Sequence, residues 1–394
     1  MDGNELHAAT KAVHGPSREG KPSGPVVAPI VQSATFQAAS LDEQSRVRAG
    51  DEFYTRYGNP TLAEAETAIA ALESTDGAMV FGSGMAAITA AVLSVVRSGD
   101  HIVAQRNLYG SAYEFFAHWL PRLGVQTSFV AAAEPEEFAR AIRPETKLLY
   151  IESPSNPTLE IVDIRATAEI AKRHELLAFI DSTFASPVNQ TPKTLGMDVI
   201  IHSATKFLGG HSDIICGAVA ADMDFLTRLR ETRIVLGGIL DPHAAWLLRR
   251  GIKTLSVRVA RQNENALHLA HFLEGHARVR RVYYPFLESH PQHVLAKTQM
   301  SGGGGVLSFE VDGTAEDTGT VVESLKLFAL APSLGGVESL VTIPALTSHA
   351  MLSIEERRLL GVTDQLIRVS VGIEHANDLV ADLDQGLSHI SVRS

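Results

Sequence analysis

Short apolar runs recur along the chain at 78–81, 102–104, 127–130, 148–151, 177–180, 199–201 and 214–219. Stretches of helical composition, such as 86–96, 113–123 and 164–174, lie between most of them. Buried strands alternating with helices predict a mainly parallel, doubly wound sheet. In such a sheet ligands bind beyond the C-terminal ends of the strands. The rhythm changes after about Leu240. A long helical stretch spans 242–275, with Gly251 as its weak point, and strand-like segments follow at 281–284, 306–311, 327–330 and 366–371. This pattern predicts a smaller α+β domain. Upstream of residue 59 the chain is rich in Pro, Gly and Ser and shows no helical period, so it reads as an extended arm without its own core. Asn59-Pro60 then starts a helix, Asn as the cap and Pro in the first turn. The expected organisation is an arm at 1–58, an α/β domain at 59–246 and an α+β domain at 247–394.

Composition narrows the function. A hydrophobic fraction of 45% supports a large core, and a charged fraction of 20% without long single-sign blocks argues against disorder. A formal charge of −11 argues against nucleic acid as a partner, since binding a phosphate backbone needs a basic surface. The single cysteine, Cys216, allows no intrachain disulfide, and the 16 histidines form no CxxC or HExxH pairing, so no metal is expected. The first residues carry no apolar stretch of the signal-peptide kind, and the longer apolar runs fall short of a membrane span. A cytoplasmic protein without a membrane partner is the expectation.

Three strand-end segments carry the candidate chemistry. Phe81-Gly82-Ser83-Gly84-Met85 follows a predicted strand and opens a helix, where free backbone N–H groups and the helix dipole favour an anion. Ala178-Phe179-Ile180-Asp181 ends an apolar run on a carboxylate. Such a group caps a turn or pairs with a protonated ring nitrogen, making the ring an electron sink. Ile201-His202-Ser203-Ala204-Thr205-Lys206 ends another run on a lysine with two hydroxyls beside it. A lysine kept partly neutral there can form a Schiff base. Tyr109, after the next strand, could stack on a ring or be a plain core or loop residue. Arg368 sits inside an apolar strand and needs a partner, either a substrate carboxylate or a structural acid. The Gly302–Gly305 run reads as a turn before a strand, because no Lys-Ser/Thr follows it.

Together these residues resemble the Cys/Met-metabolism group of pyridoxal-phosphate (PLP) enzymes over nearly the whole chain. The resemblance rests on Tyr54-Thr55-Arg56, Gly58-Asn59-Pro60-Thr61, Ser83-Gly84-Met85, the run from Glu152 to Pro157, Asp181 with Thr183-Phe184-Ala185, and Ser203-Ala204-Thr205-Lys206. It continues through Ser333-Leu334-Gly335-Gly336 and the run from Arg368 to Glu374. It implies an aspartate-aminotransferase-like (fold type I) architecture. It also implies that Lys206 carries the cofactor and shuttles protons, and that Asp181 pairs with the ring nitrogen. Ser83, Gly84, Met85, Ser203 and Thr205 would bind the phosphate. Tyr109 would stack on the ring and assist proton transfer, and Asn156 would lie near the ring oxygen. Arg368 and Ser333 would hold the substrate carboxylate, with Asn156, Tyr54 and Glu338 also at the substrate. Tyr54 and Arg56 would reach a neighbouring subunit's phosphate, within a homotetramer built from active dimers.

Within the group the signals divide. Ser111 and Arg233-Ile234 stand where methionine γ-lyases typically carry a cysteine and a Lys-Asp pair, while Glu338 matches the cystathionine γ-enzymes. Phe53 replaces the carboxylate that often precedes the arm tyrosine in cystathionine-specific members, with Asp51 and Glu52 close by. The favoured expectation is γ-elimination on cystathionine, with methionine as a side substrate. The runner-up is a γ-replacement synthase acting on an activated homoserine. A nicotinamide oxidoreductase rests only on Gly82-x-Gly84-x-x-Ala87, and it lacks the acid expected after the second strand, where Gln105-Arg106 stand.

Overall fold

The computed structural model describes residues 6–16, 24–47, 53–131, 134–350 and 352–390. Its larger sheet contains β1 (Gly77–Phe81), β2 (His101–Gln105), β3 (Gln126–Val130), β4 (Thr146–Glu152), β5 (Leu177–Asp181), β6 (Val199–His202) and β7 (Gly217–Ala221). These strands lie in the order β1-β7-β6-β5-β4-β2-β3. Only β7 runs against its neighbours, β1 and β6. Both faces of the sheet are covered, which is why the strands read as continuous apolar runs. Val80, Val103, Leu149, Ile180 and Ile200 point into one core cluster. Phe81, Ile102, Leu148, Phe179 and Ile201 alternate into the other.

The smaller sheet contains β8 (Val279–Tyr283), β9 (Val306–Val311), β10 (Ala329–Leu330), β11 (Leu340–Thr342) and β12 (Leu366–Ser370), in the order β10-β11-β12-β9-β8. Leu307, Phe309, Ile367 and Val369 pack beneath it with Leu379 and Leu383 of the helix Ala376–Ser388. Between the sheets run the helices Pro242–Ile252 and Leu255–Glu274. The single stretch expected over 242–275 is therefore broken at Lys253-Thr254, just past Gly251. A Cβ at Gly251 would stand 2.2 Å from the Gly209 carbonyl, so this crossing requires glycine. Residue 246 lies inside the first of these helices.

Three local expectations differ from what forms. The arm is not wholly extended: Ala8–His14 and Leu41–Val47 are short helices. Ala12 is buried in the main core, and Arg249 donates to the Ala12 and Val13 carbonyls at the end of the first helix. The alanines of Ala8-Ala9-Thr10-Lys11-Ala12 favour helix, a local preference hidden by the prolines around it. The run at 214–219 enters the sheet only at Gly217, because the Thr205 hydroxyl takes both the N–H and the carbonyl of Cys216. The segment 113–123 is helical but not one helix. It passes from Gly110–Glu114 through a π-turn at Phe115–Trp119 to a 3₁₀ turn at Leu120–Leu123, where Pro121 lacks the N–H that an α-helix would use. The Gly302–Gly305 run is a turn leading into β9. Among the described residues, no helix is long and apolar enough to cross a membrane.

Candidate active site

The parallel strands β1, β2, β4, β5 and β6 deliver their C-terminal ends to one edge of the large sheet, and the predicted residues follow those ends. Ser83 caps the helix Gly84–Leu93 by accepting the Ala86 N–H at 3.0 Å. The amides of Gly84 and Met85 open that helix and have no acceptor within it. A Cβ on Gly84 would lie 2.8 Å from the Ser203 Cβ. Two segments that the sequence offers separately for a phosphate thus press against each other, and glycine makes the approach possible. The Thr205 hydroxyl, by contrast, is engaged at 3.0 Å with the Cys216 carbonyl, so it would have to leave that acceptor to donate to a phosphate.

Asp181 is buried at the end of β5. Its Oδ1 accepts the Thr183 N–H at 3.0 Å and the Thr183 hydroxyl at 2.5 Å. The turn-capping role falls to Oδ1, and Oδ2 keeps no hydrogen bond within the described chain. Burial raises the carboxyl above its usual range, and the two Thr183 hydrogen bonds oppose that rise. Thr183 has a second task, since its Oγ1 accepts the Ser203 N–H at 2.8 Å and so joins the end of β5 to the lysine segment.

Lys206 is half-buried, unlike an ordinary surface lysine. Its Nζ donates to Ser333 Oγ at 2.7 Å, across 127 residues. Burial, then the Arg368 charge, lowers its amine to about 8, which leaves a useful neutral fraction near neutral pH. The backbone around it is held from behind by buried Arg258, which donates to the Phe207 and Gly251 carbonyls at 2.9 Å each. From the small sheet, Arg368 donates Nη1 to Asn156 Oδ1 at 3.0 Å and Nη2 to the Ser333 carbonyl at 2.9 Å. No acid within the described chain pairs with it. Its Nε is a buried donor without a partner, as expected where a carboxylate is to bind.

The remaining predicted residues are more loosely placed. Tyr109 stands 40% exposed at the start of the helix Gly110–Glu114, which excludes a core role. Tyr54 and Arg56 are not brought to Lys206 within one chain. The Arg56 guanidinium lies 5.5 Å from the Tyr54 ring, and its Nη1 is tied to the Ile234 carbonyl at 2.8 Å. Glu338 is exposed. Sequence reasoning gave no role to Glu152, Thr183 or Arg258. Glu152 ends β4 as Asp181 ends β5, and that shared position was the signal available.

A strand-end carboxylate with one uncommitted oxygen, a helix start pressed against a serine and a lysine whose ammonium is disfavoured by burial fit PLP: Oδ2 of Asp181 for the ring nitrogen, the Gly84–Ser203 cleft for the phosphate, Lys206 for the aldehyde. Such a set defines an enzyme that works through a lysine-held cofactor on an amino acid. The chain belongs to the Cys/Met metabolism PLP-dependent enzyme family, whose profile matches residues 9–388. It is 44% identical to the cystathionine gamma-lyase of Bacillus subtilis over 97% of this chain and 99% of that protein. It is 40% identical to an L-methionine gamma-lyase of Fusobacterium nucleatum over 93% of this chain and 94% of that one. The crystal structure of metB from Corynebacterium glutamicum superposes with a TM-score of 0.94 at 37% identity, covering 99% of this chain and 100% of that one. The fold is thus that of the fold type I PLP enzymes, the cofactor is pyridoxal 5′-phosphate and the substrate is a small molecule. The nicotinamide alternative falls, and Gln105, where that reading needed an acid, is fully buried with its Oε1 accepting the Glu152 N–H at 2.8 Å.

Proposed function

We propose that this enzyme is a carbon–sulfur lyase that carries out γ-elimination on cystathionine, with methionine as a side substrate. The observation that carries this reading is Glu338. The segment 333–338 closes over the lysine: Ser333 holds Lys206 Nζ, and a Cβ on Gly335 would stand 2.7 Å from the Phe207 N. From the end of that segment the Glu338 carboxylate folds back over Gly336, its Oε2 3.2 Å from where a Cβ there would be. It is exposed and makes no hydrogen bond among the described residues, so it is free to meet the distal ammonium of a long diamino acid. The 44% identity to the cystathionine gamma-lyase supports cystathionine as the substrate. Ile234 offers Arg56 a backbone carbonyl rather than the carboxylate typical of methionine γ-lyases.

When bound, PLP supplies an electron sink conjugated to the substrate α-carbon. The chain's own groups do the rest. Arg368, through Nε and its remaining N–H groups, holds the substrate carboxylate, with Ser333 and Asn156 fixing the guanidinium plane. Lys206 Nζ, steadied by the Ser333 hydroxyl, takes the proton from Cα, passes it on to the conjugated system, and, neutral again, takes one from Cβ. Tyr109 donates a proton to the departing sulfur. Water then releases the four-carbon remainder as 2-oxobutanoate and ammonia. Asp181 Oδ2 holds the ring nitrogen, and Ser83, Gly84, Met85, Ser203 and Thr205 cup the phosphate.

The same reading includes an arm, a cofactor domain and a C-terminal domain meeting at the site. It also places Tyr54 and Arg56 at a neighbouring subunit's phosphate in a cytoplasmic homotetramer. The test is product analysis of the cofactor-loaded protein with cystathionine, methionine and O-acylhomoserines, with and without a thiol. The lyase releases 2-oxobutanoate from cystathionine without added thiol, and Glu338→Gln raises KM for cystathionine by on the order of tenfold while sparing methionine. Thioether formed from O-acylhomoserine, with little oxo acid from cystathionine, would make the enzyme a γ-replacement synthase instead.

A further inference from the structure

Glu152 is buried at the C-terminal end of β4, 4% exposed, in register beside Asp181. Its two carboxylate oxygens are both used. Oε2 accepts the Tyr109 N–H at 2.8 Å, and Oε1 accepts the Asn156 N–H at 2.9 Å. The two amides belong to different strand-end loops, one after β2 and one after β4. Asn156 goes on to accept Arg368 Nη1 at 3.0 Å, Arg368 Nη2 donates to the Ser333 carbonyl at 2.9 Å, and the Ser333 hydroxyl accepts Lys206 Nζ at 2.7 Å. One hydrogen-bonded line therefore runs from the tyrosine to the lysine, and Glu152 is the only member of it that touches both loops.

The choice of residue is informative. Burying an acid beside another buried acid is costly, because desolvation and mutual repulsion both oppose its charge. A glutamine of the same shape would avoid that cost, but it has one carbonyl oxygen and can serve only one of the two amides; its NH₂ would face the other, donor against donor. Only a carboxylate of this length satisfies both loops. We propose that Glu152 is a positioning residue that sets the Tyr109 and Arg368 side chains relative to each other, so that the proton-transfer group and the carboxylate-holding group are placed by a single buried acid. The proposal rests on the assignment of Arg368 to the substrate carboxylate.

The test is Glu152→Gln in the cofactor-loaded enzyme, read in three ways. Turnover should fall on the order of 10–100-fold, the scale of a displacement of about 1 Å at a reacting group. The preference for an unreactive amino acid over its decarboxylated amine, measured from the cofactor absorbance on titration, should narrow about tenfold, because the line to Arg368 is cut. In the apoprotein, amide exchange at Tyr109 and Asn156 should quicken while exchange elsewhere in β4 stays slow. A fully loaded variant with unchanged kcat and an unchanged amino-acid preference would overturn the proposal, leaving Glu152 a structural acid. If Glu152→Gln does not fold, Glu152→Asp keeps both oxygens and draws them back by one methylene. It should show the same losses in smaller measure, and wild-type values would again overturn the idea. Arg368→Ala separates the two failures. If that variant keeps the amino-acid preference, the assignment of Arg368 is wrong; if it loses the preference while Glu152→Gln keeps it, only the role of Glu152 is wrong.

Discussion

On the proposed assignment the site has a cofactor half and a substrate half, and the two are built differently. The cofactor half comes from the large sheet, where each group follows a strand end within a few residues and is held by backbone contacts: Ser83 on its helix cap, Asp181 on its turn, Ser203 and Lys206 beyond β6. The substrate half comes from the small sheet. Arg368 and Ser333 reach the site only by side-chain hydrogen bonds that cross 212 and 127 residues of sequence. The first half is fixed by local folding and the second by how the two sheets meet. Substitutions in the first should therefore destroy chemistry, and those in the second should weaken recognition while leaving chemistry in place.

The largest effect tests the first half. Lys206→Ala should lower turnover by at least about 10³-fold and remove the visible absorbance of the lysine-bound cofactor, since no other amine stands at that position. Retained turnover would show that the lysine carries no proton. In the apoprotein, reaction of Lys206 with an aldehyde should be half-maximal near pH 8 rather than at the usual 10.5 of a lysine. Burial and the Arg368 charge disfavour the ammonium, so the neutral amine appears as pH rises through the lower value. The second half is tested by Arg368→Ala. KM for amino acids should rise on the order of 100-fold, the scale of a lost buried contact between ions, with kcat falling much less. A loss confined to kcat would place Arg368 with the chemistry and erase the division between the halves.

This division also decides what the sequence could reveal. Strand-end groups were legible because the end of each short apolar run marks where a strand stops, and polar side chains come next. Asp181 and Lys206 were singled out that way, and Arg368 was singled out as a charge inside an apolar strand. The pairing of Lys206 with Ser333, or of Arg368 with Asn156, leaves no periodic trace, because it depends on which faces of two sheets come together. The resemblance named Ser333 and Asn156 as site residues, but neither pairing was read from it. Glu152 was overlooked for a different reason. Its partners are backbone amides, and backbone amides have no signature in the sequence. The start of β7 was misplaced by the same kind of contact, a threonine hydroxyl occupying the peptide of Cys216.

A smaller effect sharpens the account of the cofactor half, because there a hydroxyl rather than a charge is removed. Thr183→Val keeps the shape of the side chain but deletes the 2.5 Å donation to Asp181 and the acceptor for the Ser203 N–H. Each loss should cost the apoprotein about 1–3 kcal/mol, and the two differ in their dependence on pH. Asp181 titrates at a higher pH in the fold than the 3.8 of a free carboxylate, because burial favours its neutral form. Between those two values the native state binds more protons than the unfolded chain, so stability falls as pH rises through that window. Thr183 limits the fall by hydrogen-bonding the charged form, and without it the folded value moves further up and the fall deepens. The variant should therefore lose more stability, relative to the wild type, at pH 8 than at pH 4, measured by urea unfolding of the apoprotein. The Ser203 contribution does not titrate and should be equal at both. An equal loss at pH 4 and pH 8 would mean that Thr183 serves only to tie β5 to the lysine segment. Asp181 would then owe nothing to it in holding a charge.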